Sequence, residues 1–221
     1  MSDILERIAA CVERGKDERD SAYPPDLAGE DGALELTRLA LDQGVDPNEV
    51  LRSGMMVGMN TVGERFARGE AFVPELLMSA KAMKAGMGLL KPHFDSGEAT
   101  HVGTIILGTV AGDIHDIGKN IVGMVLEGGG WKVVDLRVDV TTEKFLAALD
   151  EHQDAVVGMS ALLTTTMVNM AESVRVLRER SPGTNVFIGG APVTQEFCDQ
   201  VGADGYFADP TDFSKHLRTF R

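Results

Sequence analysis

The chain has 221 residues, with 21 Lys+Arg against 34 Asp+Glu, giving a formal net charge of −13. That length suffices for one large domain or two small ones, each with a real core. The 43% apolar and 25% charged shares are those of globular proteins. Strong acidity without a Lys/Arg-rich stripe excludes nucleic acid as an expected partner. No apolar run approaches the roughly 18 residues of a membrane helix, so no membrane is expected either. The charged start, Met-Ser-Asp-Ile-Leu-Glu-Arg, and two cysteines outside any motif, Cys11 and Cys198, point to a reducing cytoplasm.

Up to about residue 95 the apolar positions recur at helical spacing, beginning with Ile4, Leu5, Ile8 and Val12 on one face. Residues 16–32, with two adjacent prolines, two glycines and many charges, predict an exposed loop before a second helix. That helix carries Leu34, Leu39 and Leu41 and stops near Gly44. Asp46-Pro47-Asn48-Glu49 combines an N-cap, a proline at the first helical position and an acid three residues after the cap. A third helix follows to about Arg68 and Gly69 ends it; Pro74-Glu75 opens a fourth that runs to about Leu90, before Pro92. Four helices make a bundle, assigned to residues 1–95.

After a polar joint at 94–98 the pattern becomes short apolar runs separated by amphipathic stretches. Strands are expected at 104–109, 132–135, 155–159, 185–188 and 205–207, with helices at about 116–127, 142–152, 167–180 and 194–201 and a last one near the C-terminus. Repeated βα units imply a five-stranded parallel sheet covered on both faces, a Rossmann-like or flavodoxin-like domain over residues 100–221. The fold class is therefore α+β in two domains. Ligands of such sheets bind beyond the carboxyl ends of the strands, which directs attention to the residues after 109, 159, 188 and 207.

The first of these loops reads Gly112-Asp113-Ile114-His115-Asp116-Ile117-Gly118-Lys119-Asn120. A plain account is a satisfied loop histidine, with Asp116 capping the next helix. A hydrolytic metal site needs three or four protein ligands, and His93, His101, His152 and His216 all lie away from predicted strand ends. No phosphate-binding glycine motif follows the strand, and Gly128-Gly129-Gly130 follows a helix, where a C-cap explains it. A further account treats His115 as the single protein ligand to a metal already held in an organic macrocycle.

Asp113-x-His115-x-x-Gly118 resembles the signature of the cobalamin-binding fold of methionine synthase, several mutases and the corrinoid proteins of methyltransferase systems. Ser160-Ala161-Leu162, placed after the third strand, and Gly189-Gly190, after the fourth, resemble the SxL and GG elements of that family. The resemblance implies a cobalamin or related corrinoid whose own base has left cobalt, with His115 as the metal ligand in its place and methylcobalamin as the loaded form. A ligating histidine is oriented through its other nitrogen by an acceptor, for which Asp113 is the candidate. The resemblance extends that relay to Thr166, so His115, Asp113 and Thr166 form the expected reactive set. It further implies cofactor contacts from Gly112, Ile114, Asp116, Gly118, Ser160, Leu162, Thr164, Gly189, Gly190 and Ala208. The glycines are expected to let a flat nucleotide tail approach the backbone.

The resemblance covers nearly the whole chain. Gly58-Met59-Asn60-x-Val62-Gly63-x-x-Phe66, followed by Gly69-Glu70-x-Phe72-Val73-Pro74-Glu75, looks like the helical cap of the same proteins. By that likeness Phe66 and Val73 shield the upper corrin face, whereas Met55, Met56, Met59, Met78, Met83 and Met87 read as core filler. The implied function is a methyl carrier that accepts a methyl group on Co(I) and surrenders it from methyl-Co(III), as in methanol, methylamine, betaine or methoxy-aromatic demethylation. A TIM-barrel substrate domain takes about 250 residues, so chemistry on the donor is expected in trans. The partners implied are a substrate-specific methyltransferase, an acceptor-side methyltransferase using tetrahydrofolate or a thiol, and a reductive activase. A cobalamin-dependent regulator and the small subunit of an adenosylcobalamin mutase are the alternatives. The first needs a DNA-binding module that is not visible, and the second lacks such a cap.

Overall fold

The structure, a computed structural model, describes residues 2–96 and 100–219; Gly97 and Glu98 of the expected joint lie outside the described residues. Two compact units divide the chain between Val102 and Gly103, with residues 127–130 grouped with the first. Among the described residues no helix is long and apolar enough to cross a membrane.

The first unit is helical. Helix α1 (Ser2–Arg14) buries Ile4, Leu5, Ile8 and Val12, as its periodicity requires. Helix α2 (Ala33–Asp42) buries Ala33, Leu36, Thr37 and Ala40, leaving Leu39 exposed. A single turn α3 (Pro47–Glu49) runs through a π segment (Val50–Met55) into α4 (Met56–Ala67), so the expected third helix is continuous but carries a wide turn near its start. Asp46 caps it by accepting from the N–H groups of Asn48 at 2.8 Å and Glu49 at 3.3 Å. Gly69 ends it at φ +72°, where the Gly69 and Glu70 N–H groups reach back to the carbonyls of Phe66 and Arg65. Met55, Met59 and Met83 are buried core.

Two expectations fail in this unit. The segment 16–32 is not wholly exposed, because Lys16 and Asp17 are buried. The Lys16 ammonium donates to the carbonyls of Ser21 at 2.8 Å and Arg19 at 3.3 Å, and Lys81 pairs with Asp17 at 2.7 Å. The Lys16 and Asp17 carbonyls accept from Ala33 and Leu34, satisfying the first amides of α2. Helix α5 (Val73–Asp95) also passes through Pro92 instead of stopping before it. So near the helix end the ring removes one bond from the final turn, and the Ser96 N–H still closes onto the Pro92 carbonyl.

The second unit alternates strands and helices: β1 (Thr104–Thr109), α6 (Ile117–Gly128), β2 (Lys132–Asp135), α7 (Thr142–Glu151), β3 (Val156–Ser160), α8 (Met167–Arg180), β4 (Val186–Gly189), α9 (Gln195–Val201), β5 (Gly205–Tyr206) and α10 (Pro210–Thr219). All pairings are parallel, in the order β2-β1-β3-β4-β5. Strands β1 and β3 are buried almost throughout, as expected for a sheet covered on both faces. Between sheet and helices lies a core that includes Ile106, Phe145, Val157, Met170, Val174 and Ile188. The chain winds outward one way from β1 to β2 and the other way from β3 to β5. The switch in winding therefore falls between the carboxyl ends of β1 and β3.

Strands β3 and β4 each end one residue later than expected. Ser160 and Gly189 are the last residues of their strands and register partners, because the Ala161 N–H continues the ladder onto the Gly189 carbonyl.

Candidate functional site

At the switch point the loop after β1 meets the segment after β3, and a hydrogen-bonded chain of side chains joins them. Asp113 is fully buried. Its Oδ1 lies 2.7 Å from His115 Nδ1 and accepts the His115 N–H at 3.1 Å. Its Oδ2 accepts from the Leu162 N–H at 2.7 Å, the Leu163 N–H at 3.3 Å and the Thr166 hydroxyl at 2.8 Å. Burial pushes the Asp113 carboxyl upward in pKa, but the Leu162 amide, the His115 ring and amide and the Thr166 hydroxyl outweigh it. The group is held far below the usual carboxylate range. An ionised Asp113 facing Nδ1 favours the tautomer with the proton on Nδ1, which leaves the Nε2 lone pair open.

The His115 side chain remains 47% exposed although its partner is sealed. Around it stand uncovered apolar side chains: Ile114 at 76%, Ile117 at 75%, and Leu162 and Leu163 at 42% each. An imidazole nitrogen presented above an apolar rim suits a large, flat, mostly apolar macrocycle bearing a metal. Among the described residues no three His, Cys, Asp or Glu side chains gather to hold an ion.

The glycines separate into two kinds. A Cβ at Gly118 would meet no protein atom within 4 Å. Nothing in the chain demands glycine there, and the open space above it fits a group that approaches the backbone closely. Gly190 is different, since at φ +128° its Cβ would sit 1.9 Å from the Ala161 carbonyl oxygen. The neighbouring strand end therefore already requires a residue without a Cβ here. Gly189 is intermediate, with the Phe207 carbonyl oxygen 3.0 Å from its would-be Cβ.

The other expected contacts are distributed as follows. Ser160 is half-buried at the end of β3, while Gly112, Asp116, Thr164 and Ala208 are exposed. Asp116 accepts from the Asn120 side chain at 3.0 Å and its carbonyl from the Asn120 N–H at 2.8 Å, so it supports the first turn of α6. In the helical unit Phe66, on the last turn of α4, and Val73, at the start of α5, are both half-buried instead of sealed in the bundle. Phe72 beside them is 67% exposed, an uncovered aromatic that the sequence reading did not single out.

Three residues that sequence reasoning missed fix the loop from outside. The buried Thr109 hydroxyl donates to the His115 carbonyl at 2.9 Å. The Asn169 amide donates to the Ala111 carbonyl at 2.7 Å, and Asp139 accepts the Gly112 N–H at 2.7 Å. A fourth, Lys119, is buried on α6 and donates to Asp135 at 2.6 Å and Asn120 at 2.7 Å, tying the helix to the end of β2.

Comparison with known proteins agrees with this geometry. The B12 binding domain family matches residues 103–213, and a second B12 binding domain family matches residues 29–91. The trimethylamine corrinoid protein 1 of Methanosarcina acetivorans is 41% identical over 193 residues, covering 86% of this chain and 89% of that protein. The trimethylamine corrinoid protein 2 of Methanosarcina mazei is 43% identical over 187 residues, covering 83% and 86% respectively. Among solved structures, the methanol:cobalamin methyltransferase complex MtaBC from Methanosarcina barkeri is similar with a TM-score of 0.82 at 31% identity, covering 99% of this chain and 79% of that one. The chain belongs to the B12-binding corrinoid proteins, the methyl carriers of methyltransferase systems.

Proposed function

We propose that the chain holds its corrinoid with the cofactor's own base displaced, His115 Nε2 being the protein ligand to cobalt. The observation that carries this is the chain from Thr166 through buried Asp113 to His115 Nδ1, which leaves Nε2 presented on a half-exposed ring. When bound, the corrinoid supplies a metal centre that takes up and releases a methyl group. The residues of the chain do the rest. Asp113 fixes the tautomer and orientation of His115, and Thr166 holds Asp113 in register. Ile114 and Leu162 supply apolar wall, with Gly112 and Asp116 completing the loop. Gly118, Ser160, Thr164, Gly189, Gly190 and Ala208 flank the displaced nucleotide tail. Phe66 and Val73, in the helical unit, are assigned to shielding the corrinoid, on the strength of the motif likeness and their partial exposure. The expected partners are a donor-side methyltransferase, an acceptor-side methyltransferase and a reductive activase. Because the relatives of over 40% identity include trimethylamine corrinoid proteins, methylated amines are the first donors to test.

The decisive experiment is electron paramagnetic resonance of protein loaded with cobalamin reduced to Co(II), with and without nitrogen-15 histidine. A superhyperfine pattern that changes with the label and vanishes in His115→Ala supports the assignment. A nitrogen belonging to the cofactor's base refutes it.

A further inference from the structure

The loop that carries His115 does not hold its shape through Asp113 alone. Residues 136–140, after the edge strand β2, run alongside it and bond to it repeatedly. The Thr109 N–H donates to the Arg137 carbonyl at 3.0 Å, the Val140 N–H to the Thr109 carbonyl at 2.9 Å, and the Asp139 N–H to the Asp113 carbonyl at 3.0 Å. Asp139 adds a side-chain contact in the opposite sense, its Oδ1 accepting the Gly112 N–H at 2.7 Å. One residue thus grips two consecutive residues, Gly112 and Asp113, from both sides of the peptide that joins them.

The backbone adopts two uncommon conformations to achieve this. Arg137 stands at φ +73° and Asp139 at φ +53°, the only positive-φ residues other than glycine among the described residues. Side chains reach this region reluctantly, though aspartate tolerates it better than most. Gly112 itself turns at φ +80°, so its N–H points sideways to Asp139 and is not spent within its own loop. Rare backbone conformations gathered beside a ligand loop are grounds for a functional hypothesis. Here the function is visible in the bonds they make.

We infer that Asp139 is a positioning residue for the cobalt ligand. By fixing Gly112 and Asp113 it sets where Asp113 Oδ1 lies, and hence the pitch of the His115 ring. The inference rests on the assignment of His115 as ligand. Its chemistry calls for an acceptor oxygen at position 139 and not for a negative charge as such, since the partner is a neutral amide.

Two variants separate that role from backbone strain. Asp139→Gly removes the acceptor while suiting φ +53° better than aspartate does, so the fold is not penalised. Asp139→Asn keeps an acceptor oxygen and the same tolerance. In apo-protein, amide hydrogen exchange at Gly112 is expected to quicken about tenfold in Asp139→Gly, as for loss of one hydrogen bond, and to stay near wild type in Asp139→Asn. In Co(II)-loaded protein carrying nitrogen-15 histidine, Asp139→Gly is expected to show a reduced or heterogeneous histidine coupling and about tenfold weaker corrinoid retention, with Asp139→Asn restoring both. If wild type shows the coupling and Asp139→Gly shows it unchanged with wild-type retention, the inference is overturned while the ligand assignment stands. If wild type lacks histidine coupling, the ligand assignment falls and the inference with it.

Discussion

Removing the Asp113 carboxylate is the sharpest test of how this site is built. Five contacts converge on it, and a naive sum at about 1.5–3 kcal/mol for each bond to a charged group would exceed the stability of many domains. The structure gives a smaller figure. His115 is half exposed, so in Asp113→Ala its ring and amide find water. The Thr166 hydroxyl has a second acceptor, the Leu163 carbonyl at 2.9 Å, and can turn to it. The Leu162 N–H, bonded at 2.7 Å, loses its side-chain acceptor. That charge-assisted bond, with one or two of the others, places the cost of Asp113→Ala at about 3–4 kcal/mol. Asp113→Asn can turn its oxygen toward Leu162 and Thr166 and keep that half, at about 1–2 kcal/mol. Its NH2 then faces Nδ1 and drives the ring proton to Nε2, which abolishes coordination. Trp131, the single tryptophan, is buried in the second unit, where the chain re-enters it after residue 130, so its fluorescence in urea reports the relevant transition. A loss below about 1 kcal/mol in apo Asp113→Ala, or histidine coupling retained in cobalamin-loaded Asp113→Asn, would refute this account.

Gly118→Ala and Gly190→Ala should part company. The first is expected to leave apo stability unchanged or raise it by up to ~1 kcal/mol, since it adds a better helix former, while weakening cobalamin uptake measured by absorbance. The second should destabilise the apo second unit by more than about 2 kcal/mol, because it meets the Ala161 carbonyl at a φ that suits glycine; equal behaviour of the two would contradict the division between them. Arg137→Gly relieves a positive φ and gives up only an exposed 3.8 Å contact to Asp135. It should raise the urea midpoint by an amount worth about 1 kcal/mol, and a fall would show that the arginine is held for stability. Burial pushes the Cys11 thiol up from 9.0 to about 11. Its folded value exceeds its unfolded one, so its contribution to stability is intact below pH 9 and disappears as pH rises toward 11. Native protein should resist thiol alkylation at pH 8, and Cys11→Ala should flatten the alkaline loss of stability; rapid labelling of Cys11 in the native state would contradict its burial.

Much of this architecture was legible because its causes are local. Asp46-Pro47 and Gly69 announce helix ends through bonds within a few residues, and Asp113 and His115 stand two residues apart, whereas Thr166, 53 residues from Asp113, is reached only through the family resemblance. What escaped notice depends on distant encounters. The Asp139 bond to Gly112 spans 27 residues and the Asn169 bond to Ala111 spans 58, and neither side chain is unusual in sequence. Asp17 reads as a surface charge because nothing nearby reveals Lys81, and Lys16 does so because the carbonyls that hold it, those of Arg19 and Ser21, carry no side-chain signal although they are close in sequence. Strands β3 and β4 end later than their apolar runs suggest, since ladder bonds at Ser160 and Gly189 are indifferent to side-chain hydropathy. Gly190 is legible by its lack of a Cβ, but its clash with the Ala161 carbonyl, at the end of another strand, is not.

Every bond that orients His115 comes from the second unit and is complete in the protein alone. A socket assembled in advance has little ordering entropy left to lose when its occupant arrives. Association should therefore show a small heat-capacity change, set by the apolar area covered and not by coupled folding. Departure of the occupant subtracts from stability only the binding linkage, which scales with the logarithm of its free concentration. A carrier built in this way is expected to survive being emptied, so that a damaged corrinoid could be exchanged without discarding the polypeptide.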